Sequence, residues 1–199
     1  KSKERLDSAL SRESVFLAQN VLFLIVALVT LWGTIFPIFS EAVEGTTVTV
    51  GPPFYNRVNG PLLLLLVLLM GVGPLLPWRK ASVKNAVKAL RLPAGVGLVT
   101  GVALAISGIG QPVALAAYAI CAFVVAGIVH EWVRGTRSRN RKGEIYPAAF
   151  GRLLVANRPR YGGYIVHLGI MMLAIGAIAS SFYGVQRDFA MSVGDEASL

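Results

Sequence analysis

Five blocks of nearly uninterrupted apolar sequence, at about 15–36, 61–77, 93–109, 113–133 and 161–183, constrain this chain more than any other feature. A bilayer core about 30 Å thick is crossed by about 20 residues rising 1.5 Å each, so these blocks are of spanning length. A soluble domain needs more polar surface than this composition supplies. Of the 199 residues, 55% are hydrophobic and only 15% charged, and the mean hydropathy is +0.64. The expected fold is therefore all-α and polytopic. One transmembrane domain of about five helices fills 1–183, and 184–199 begins a segment outside the membrane.

The net charge of +9 suggests nucleic-acid binding at first. The positions of the charges exclude that reading, because the basic residues flank the apolar blocks. The six segments between and beyond the blocks carry, in chain order, 4, 1, 5, 0, 8 and 1 Lys or Arg. High and low alternate without exception. The positive-inside rule then puts the amino end and both long basic loops in the cytoplasm and the carboxyl end outside.

The connections expected from local sequence are a break of the first span at Pro37 and a loop over 38–60 with a β-like stretch at 46–50. Pro61 opens the second span. Basic loops follow at 78–92 and 134–160, with a tight turn at Gly110-Gln111-Pro112. The single cysteine, Cys121, lies within an apolar block and reads as a small core residue. No Cys-x-x-Cys-His occurs, so the chain is not itself a c-type cytochrome. It opens Lys-Ser-Lys-Glu-Arg without a methionine and stops in a polar stretch, which reads as a piece of a longer protein.

Only two histidines occur, His130 and His167. An imidazole inside a span must find a partner or a task. His167 lies seven residues past Arg160, about 10 Å into its span, whereas His130 is only about 6 Å deep, beside Glu131. Met171, Ala174 and Ile178 share the helical face of His167, with room for a flat ligand. Gly169 and Gly176 on the opposite face admit another helix. Three readings of His167 compete: axial ligation of a haem iron by neutral imidazole, proton relay, or a plain interhelical hydrogen bond. His130 reads as an interfacial histidine or as the partner of His167 in a bis-histidine pair.

Two other segments stand out. Val50-Gly51-Pro52-Pro53-Phe54-Tyr55-Asn56-Arg57 sets polar backbone and aromatics beside the membrane, as interfacial anchors or as a binding loop. Ser11-Arg12-Glu13 reads as a helix amino-terminal cap. A cofactor-free transporter or channel, or a structural membrane subunit, would need no haem. The polar residues available to line a pathway are few: Gln19, Asn20, Thr30, Thr34, Thr100, Ser107 and His167.

The order of several short motifs resembles the CcmF-type cytochrome c haem lyase. They are Ser11-Arg12-Glu13 with Asn20, Trp32-Gly33-Thr34-Ile35-Phe36-Pro37, and Val50-Gly51-Pro52-Pro53-Phe54-Tyr55-Asn56. Gly73-Pro74-Leu75 with Trp78 follows, then Asn157-Arg158, Arg160-Tyr161-Gly162-Gly163-Tyr164, His167-Leu168-Gly169, Arg187-Asp188 and Gly194-Asp195. The resemblance runs along nearly all of the chain and places it in the carboxyl-terminal membrane portion of larger proteins.

It implies a part in attaching haem to apocytochrome c at a bacterial inner membrane. The implied partners are a CcmE-type haem chaperone, a CcmH-type apocytochrome-handling subunit, apocytochrome c itself and membrane lipid, with no nucleic acid. It also implies that His167 is one axial ligand of a transmembrane haem b that reduces the incoming haem iron, the second ligand coming from a helix before residue 1. The tryptophan-rich outer haem-binding segment and the two outer histidines of the family are not among these 199 residues. By the resemblance, this portion alone does not perform the ligation.

Overall fold

The computed structural model describes residues 11–77 and 82–184. It contains six α-helices: α1 (Arg12–Glu44), α2 (Pro52–Val72), α3 (Val83–Ile106), α4 (Pro112–Asn140), α5 (Tyr146–Ala156) and α6 (Arg158–Tyr183). A 3-10 turn, Gly73–Leu75, continues α2. Among the described residues five helices, all but α5, are long and apolar enough to cross a membrane. The all-α polytopic expectation holds, and the described residues contain no strand. The residues of segments 1–10 and 78–81, and the tail with Arg187-Asp188 and Gly194-Asp195, lie outside the described residues.

The helices run further than the apolar blocks. Pro37 does not break α1, which continues to Glu44 with the proline inside it. A membrane helix tolerates a proline in its interior where the rest of its backbone stays paired and neighbouring groups hold the chain. Here the Ser40 hydroxyl donates to the Pro37 carbonyl at 2.9 Å and accepts from the Val48 N–H at 2.9 Å. The connection to α2 is accordingly short, and 46–50 is irregular rather than a strand. Gly51 caps α2, with Pro52 and Pro53 in its first turn and Pro61 in its interior. Phe54, Tyr55, Asn56 and Arg57 therefore sit on helix, not in a loop. The basic stretch 134–160 is likewise mostly helical, forming the end of α4, all of α5 and the start of α6.

The cap reading of Ser11 is correct: its hydroxyl accepts from the Ser14 N–H at 3.1 Å. Arg12 beside it has a tertiary role. Its guanidinium donates to the carbonyls of Gly73, at 3.1 Å, and Pro74. A cation is favoured there because the last carbonyls of a helix have no internal partners. Two motifs sixty residues apart thus lock the start of α1 onto the end of α2. A second pair is locked by shape. A Cβ on Gly33 would meet the Tyr55 hydroxyl at 2.6 Å, so α1 needs glycine where Tyr55 crosses it. Between these points the Asn59 amide donates to Thr30 at 3.0 Å.

α4 is the hub, touching α2, α3, α5 and α6. The core around it gathers Leu75, Cys121, Phe123, Val124, Ile128, Leu153, Tyr161, Tyr164 and Met171. Cys121 is a buried free thiol within this core, as its apolar setting suggests. In the most apolar window of α4, 39% is buried, against 6% in α1 and in α6. The outer helices expose broad apolar faces, with Leu24 60% and Leu173 75% accessible. Such faces are at home against lipid or further helices and would be costly in water. The chain is a multi-pass membrane protein.

Candidate functional site at the seam of two helices

α6 starts where Asn157 accepts from the Arg160 N–H at 3.4 Å, and Pro159 sits in its first turn, where no N–H is missed. Its first turns pack antiparallel to the last turns of α4. Two aromatic residues enter this seam, Tyr161 and Tyr164, 7% and 4% exposed. Their rings meet edge to face with centroids 5.8 Å apart. The Tyr161 hydroxyl lies over Gly135 of α4.

His167 is one turn further along α6 and is half-buried. Its Nδ1 hydrogen-bonds the carbonyl of Gly163, one turn back on the same helix. A carbonyl can only accept, so Nδ1 carries the proton. In a neutral ring the lone pair is then on Nε2. A backbone partner on one nitrogen, freeing the other, is the usual arrangement of a metal-ligating histidine.

The surroundings of the ring differ from the sequence expectation in one respect. Met171 leaves no room for a ligand. It is 1% exposed and is packed into the α4 core, with Ala174 and Ile178 against the same cluster. The buried stripe of α6 is centred about 60° round the helix from His167, as Tyr164, Leu168 and Met171 indicate. His167 therefore stands at the rim of the seam. Open space lies on its other side, where a Cβ on Gly163 would meet nothing within 4 Å. Gly169 and Gly176 are also open, and no helix among the described residues covers them.

His130 is placed differently. It lines a groove of about 420 Å³ with Val133, Arg134, Arg137 and Ser138 of α4 and Arg141, which caps its carboxyl end. The residue of this stretch that pairs its charge with α6 is the neighbour of His130, Glu131, which local sequence did not single out. Glu131 is 3% exposed. Its carboxylate accepts from Arg160 of α6 and pairs with Arg134 one turn on at 3.2 Å. Arg160 in turn donates from Nε to the Tyr164 hydroxyl at 3.3 Å. The sequence sign of this network was a carboxylate at the edge of an apolar block, followed by arginines from Arg134 on. Beyond the membrane ends, Glu144 accepts two bonds from Arg139, at 3.1 and 3.2 Å. That hydrogen bond, with the charges of Arg139, Arg152 and Lys142, holds its carboxyl below the usual 4.5.

Among the described residues no group of three or more His, Cys, Asp or Glu gathers as a metal site. The donor that this seam offers an iron centre is a single imidazole with its second nitrogen already bonded. Those features would suit one protein ligand of a haem iron.

Over 95% of its length the chain is 31% identical to the cytochrome c-type biogenesis protein CcmF of Pseudomonas fluorescens, and 32% identical to that of Pseudomonas aeruginosa. Over 87% of its length it is 33% identical to the cytochrome c-type biogenesis protein ccl1 of Rhodobacter capsulatus. The chain belongs to the CcmF family. It spans about 28% of the length of the Pseudomonas relatives and 25% of the Rhodobacter one. No protein-family profile and no solved structure matches it. In this CcmF-type chain, two contacts join separate stretches of the motif series. Arg12 binds the carbonyls of Gly73-Pro74, and Gly33 admits Tyr55.

Proposed function

We propose that this chain is the membrane portion of a haem lyase that serves cytochrome c maturation in a bacterial inner membrane, and that His167 is an axial ligand of its transmembrane haem b. The observation that carries the reading is the bond between His167 Nδ1 and the Gly163 carbonyl. It settles the proton on one nitrogen and leaves Nε2 with a lone pair on a half-buried ring beside open space. An imidazole serving as an interhelical hydrogen bond would place at least one nitrogen against a group on a neighbouring helix. Here the ring's one hydrogen bond among the described residues stays within α6.

A bound haem b with two histidine ligands would supply one-electron transfer, its iron having no open coordination site. Residues of this chain do the rest. Gly163 orients the ring, and Tyr161, Tyr164 and Met171 hold α6 against α4. The alternation of basic segments supports an orientation with the Arg12, Arg134 and Arg160 end in the cytoplasm. The second axial ligand comes from a part of the protein outside this chain. Thioether formation on apocytochrome c, with haem delivered by a CcmE-type chaperone and apocytochrome handled by a CcmH-type subunit, takes place outside the membrane, away from His167.

The test is a reduced-minus-oxidised absorption spectrum of the full-length protein purified in detergent, wild type against His167→Ala. Loss of a six-coordinate b-type signal in the variant, with recovery on adding imidazole, supports the assignment. A b-type spectrum indistinguishable from wild type overturns it.

A further inference from the structure

A carboxylate taken out of the bilayer's water is costly unless its charge is matched and its lone pairs are filled. Glu131 meets both conditions, and it does so with α6. One of its oxygens accepts from Arg160, the same group also faces Arg134, and the residue is 3% exposed. Arg160 is held in turn by the Tyr164 hydroxyl, and its guanidinium lies 5.7 Å from the centre of the Tyr161 ring. These contacts bracket the turn 160–164, and Gly163 lies inside that turn. Its carbonyl is the group that orients His167.

From this chain of contacts we infer that Glu131 is a positioning residue for His167: through Arg160 and Tyr164 it fixes the α6 turn whose Gly163 carbonyl sets the imidazole plane. The inference rests on His167 being the haem ligand. A glycine-rich turn needs such a device. Gly162 and Gly163 follow one another, and neither is confined by neighbours within 4 Å of a Cβ position. Glycine has the widest backbone freedom of any residue. Without an external tie the turn would let the ring tilt and rotate, and the Nε2 lone pair would wander with it. Arg160 and Tyr164 tie the two sides of the glycine pair, and Glu131 ties Arg160 to the hub helix. Outer partners of a ligating histidine act in this way, by restricting its orientation rather than by touching the metal.

The experiment uses the full-length protein with its haem. Haem retained per polypeptide and the low-spin electron paramagnetic resonance g-values of the oxidised protein are measured for wild type, Glu131→Gln, Arg160→Gln, Glu131→Asp, Tyr164→Phe and Glu131→Gln/Arg160→Gln. His167→Ala with added imidazole is run in parallel. Glu131→Gln should weaken haem retention about tenfold, the low end of what outer partners of a ligating histidine contribute. It should also shift or broaden the g-values, which follow the orientation of the axial imidazole planes. Glu131→Asp should restore both in large part. The double variant should be no worse than Glu131→Gln, because the two residues act as one unit. If Glu131→Gln fails to accumulate, Tyr164→Phe carries the same comparison. It keeps the ring packing and removes only the hydroxyl that holds Arg160, so it should shift the g-values in a folded protein. Wild-type haem retention and g-values in Glu131→Gln or, where that fails to accumulate, in Tyr164→Phe overturn the inference, as does an additive double variant. If His167→Ala still loses the b-type signal in that case, the ligand assignment survives the loss of the clamp. An unchanged spectrum in His167→Ala overturns both.

Discussion

α4 meets α3 and α6 by two different physical means. Against α3 the contact is made by glycines set close to the backbone and apolar side chains of α4, with no side-chain hydrogen bond or ion pair between the two helices among the described residues. A Cβ on Gly97 would come within 2.7 Å of the Ala119 carbonyl oxygen and 3.1 Å of the Phe123 side chain, and one on Gly101 would lie 3.3 Å from Ala119. Against α6 the contact is charged and aromatic, through Glu131, Arg160, Tyr161 and Tyr164. Lipid tails are as apolar as leucine, so helices in a membrane gain little by burying apolar surface against each other. Close van der Waals approach and interhelical hydrogen bonds remain as the sources of association. The first seam uses one and the second the other. The difference falls along α4 itself: the glycine seam occupies the part nearer Pro112, and the charged seam lies at the basic end, where desolvating an ion pair costs less.

The largest effect should come from forcing the glycine seam apart. Gly97→Val sets branched carbon against a backbone carbonyl that has no rotamer to yield, and overpacking of this kind costs about 3 kcal/mol. Thermal unfolding in detergent should show it as a clear loss of stability. A variant melting with the wild type would mean that α3 and α4 can separate freely, and the proposed contrast between seams would fall.

The charged seam should respond differently. Glu131→Leu alone leaves Arg160 without its buried partner and should cost about 2 kcal/mol. That is less than the loss at a fully buried pair, because the Arg160 side chain is 35% exposed. Adding Arg160→Met should recover most of that stability, since an apolar pair of similar size often replaces a buried ion pair without loss. The same comparison in the melting assay sharpens the contrast: the glycine seam tolerates no enlargement, whereas the charged seam is replaceable as glue. Recovery of stability without recovery of the haem g-values would separate the structural from the positioning part of Glu131.

The smallest effect is expected at the turn beyond α4. Glu144 is held below its ordinary 4.5 chiefly by the Arg139 hydrogen bond. A carboxyl lowered on folding contributes its stabilisation in full above that ordinary value, and the contribution is lost as the pH falls through the lower folded value. Amide hydrogen exchange across 140–146 should therefore quicken on acidification in the wild type, beyond the intrinsic pH trend. In Glu144→Gln the turn should be loose at every pH, with the melting of the bundle unchanged, as for other exposed ion pairs. A pH-independent protection in the wild type would remove Glu144 from the closure of this turn.

Much of the architecture was legible from the chain. Apolar runs of spanning length allow few outcomes in lipid, where every backbone group must be paired within its own segment. Cys121 in the core and the Ser11 cap followed from residue type and neighbours. The helix ends did not, because they lie in polar sequence where continuation and fraying are close in free energy. Pro37 and Pro61 read as a break and a beginning, yet both are interior, because a helix in an apolar setting continues through one missing N–H when the flanking turns stay paired. His167 was visible as a rare imidazole in a span. Glu131 was not, because its meaning depends on Arg160, which arrives from 29 residues further on.

The sequence by itself determined the number of apolar helices, the alternation of basic charge between them and the one histidine well inside an apolar block, since hydropathy, charge and residue rarity are local properties read along the chain. Only the tertiary structure decided that α4 is the hub, that Met171 packs inward and leaves His167 at the rim, and that a buried carboxylate ties the turn carrying Gly163. These depend on which helix faces cross, and crossings are set by contacts between residues far apart in sequence.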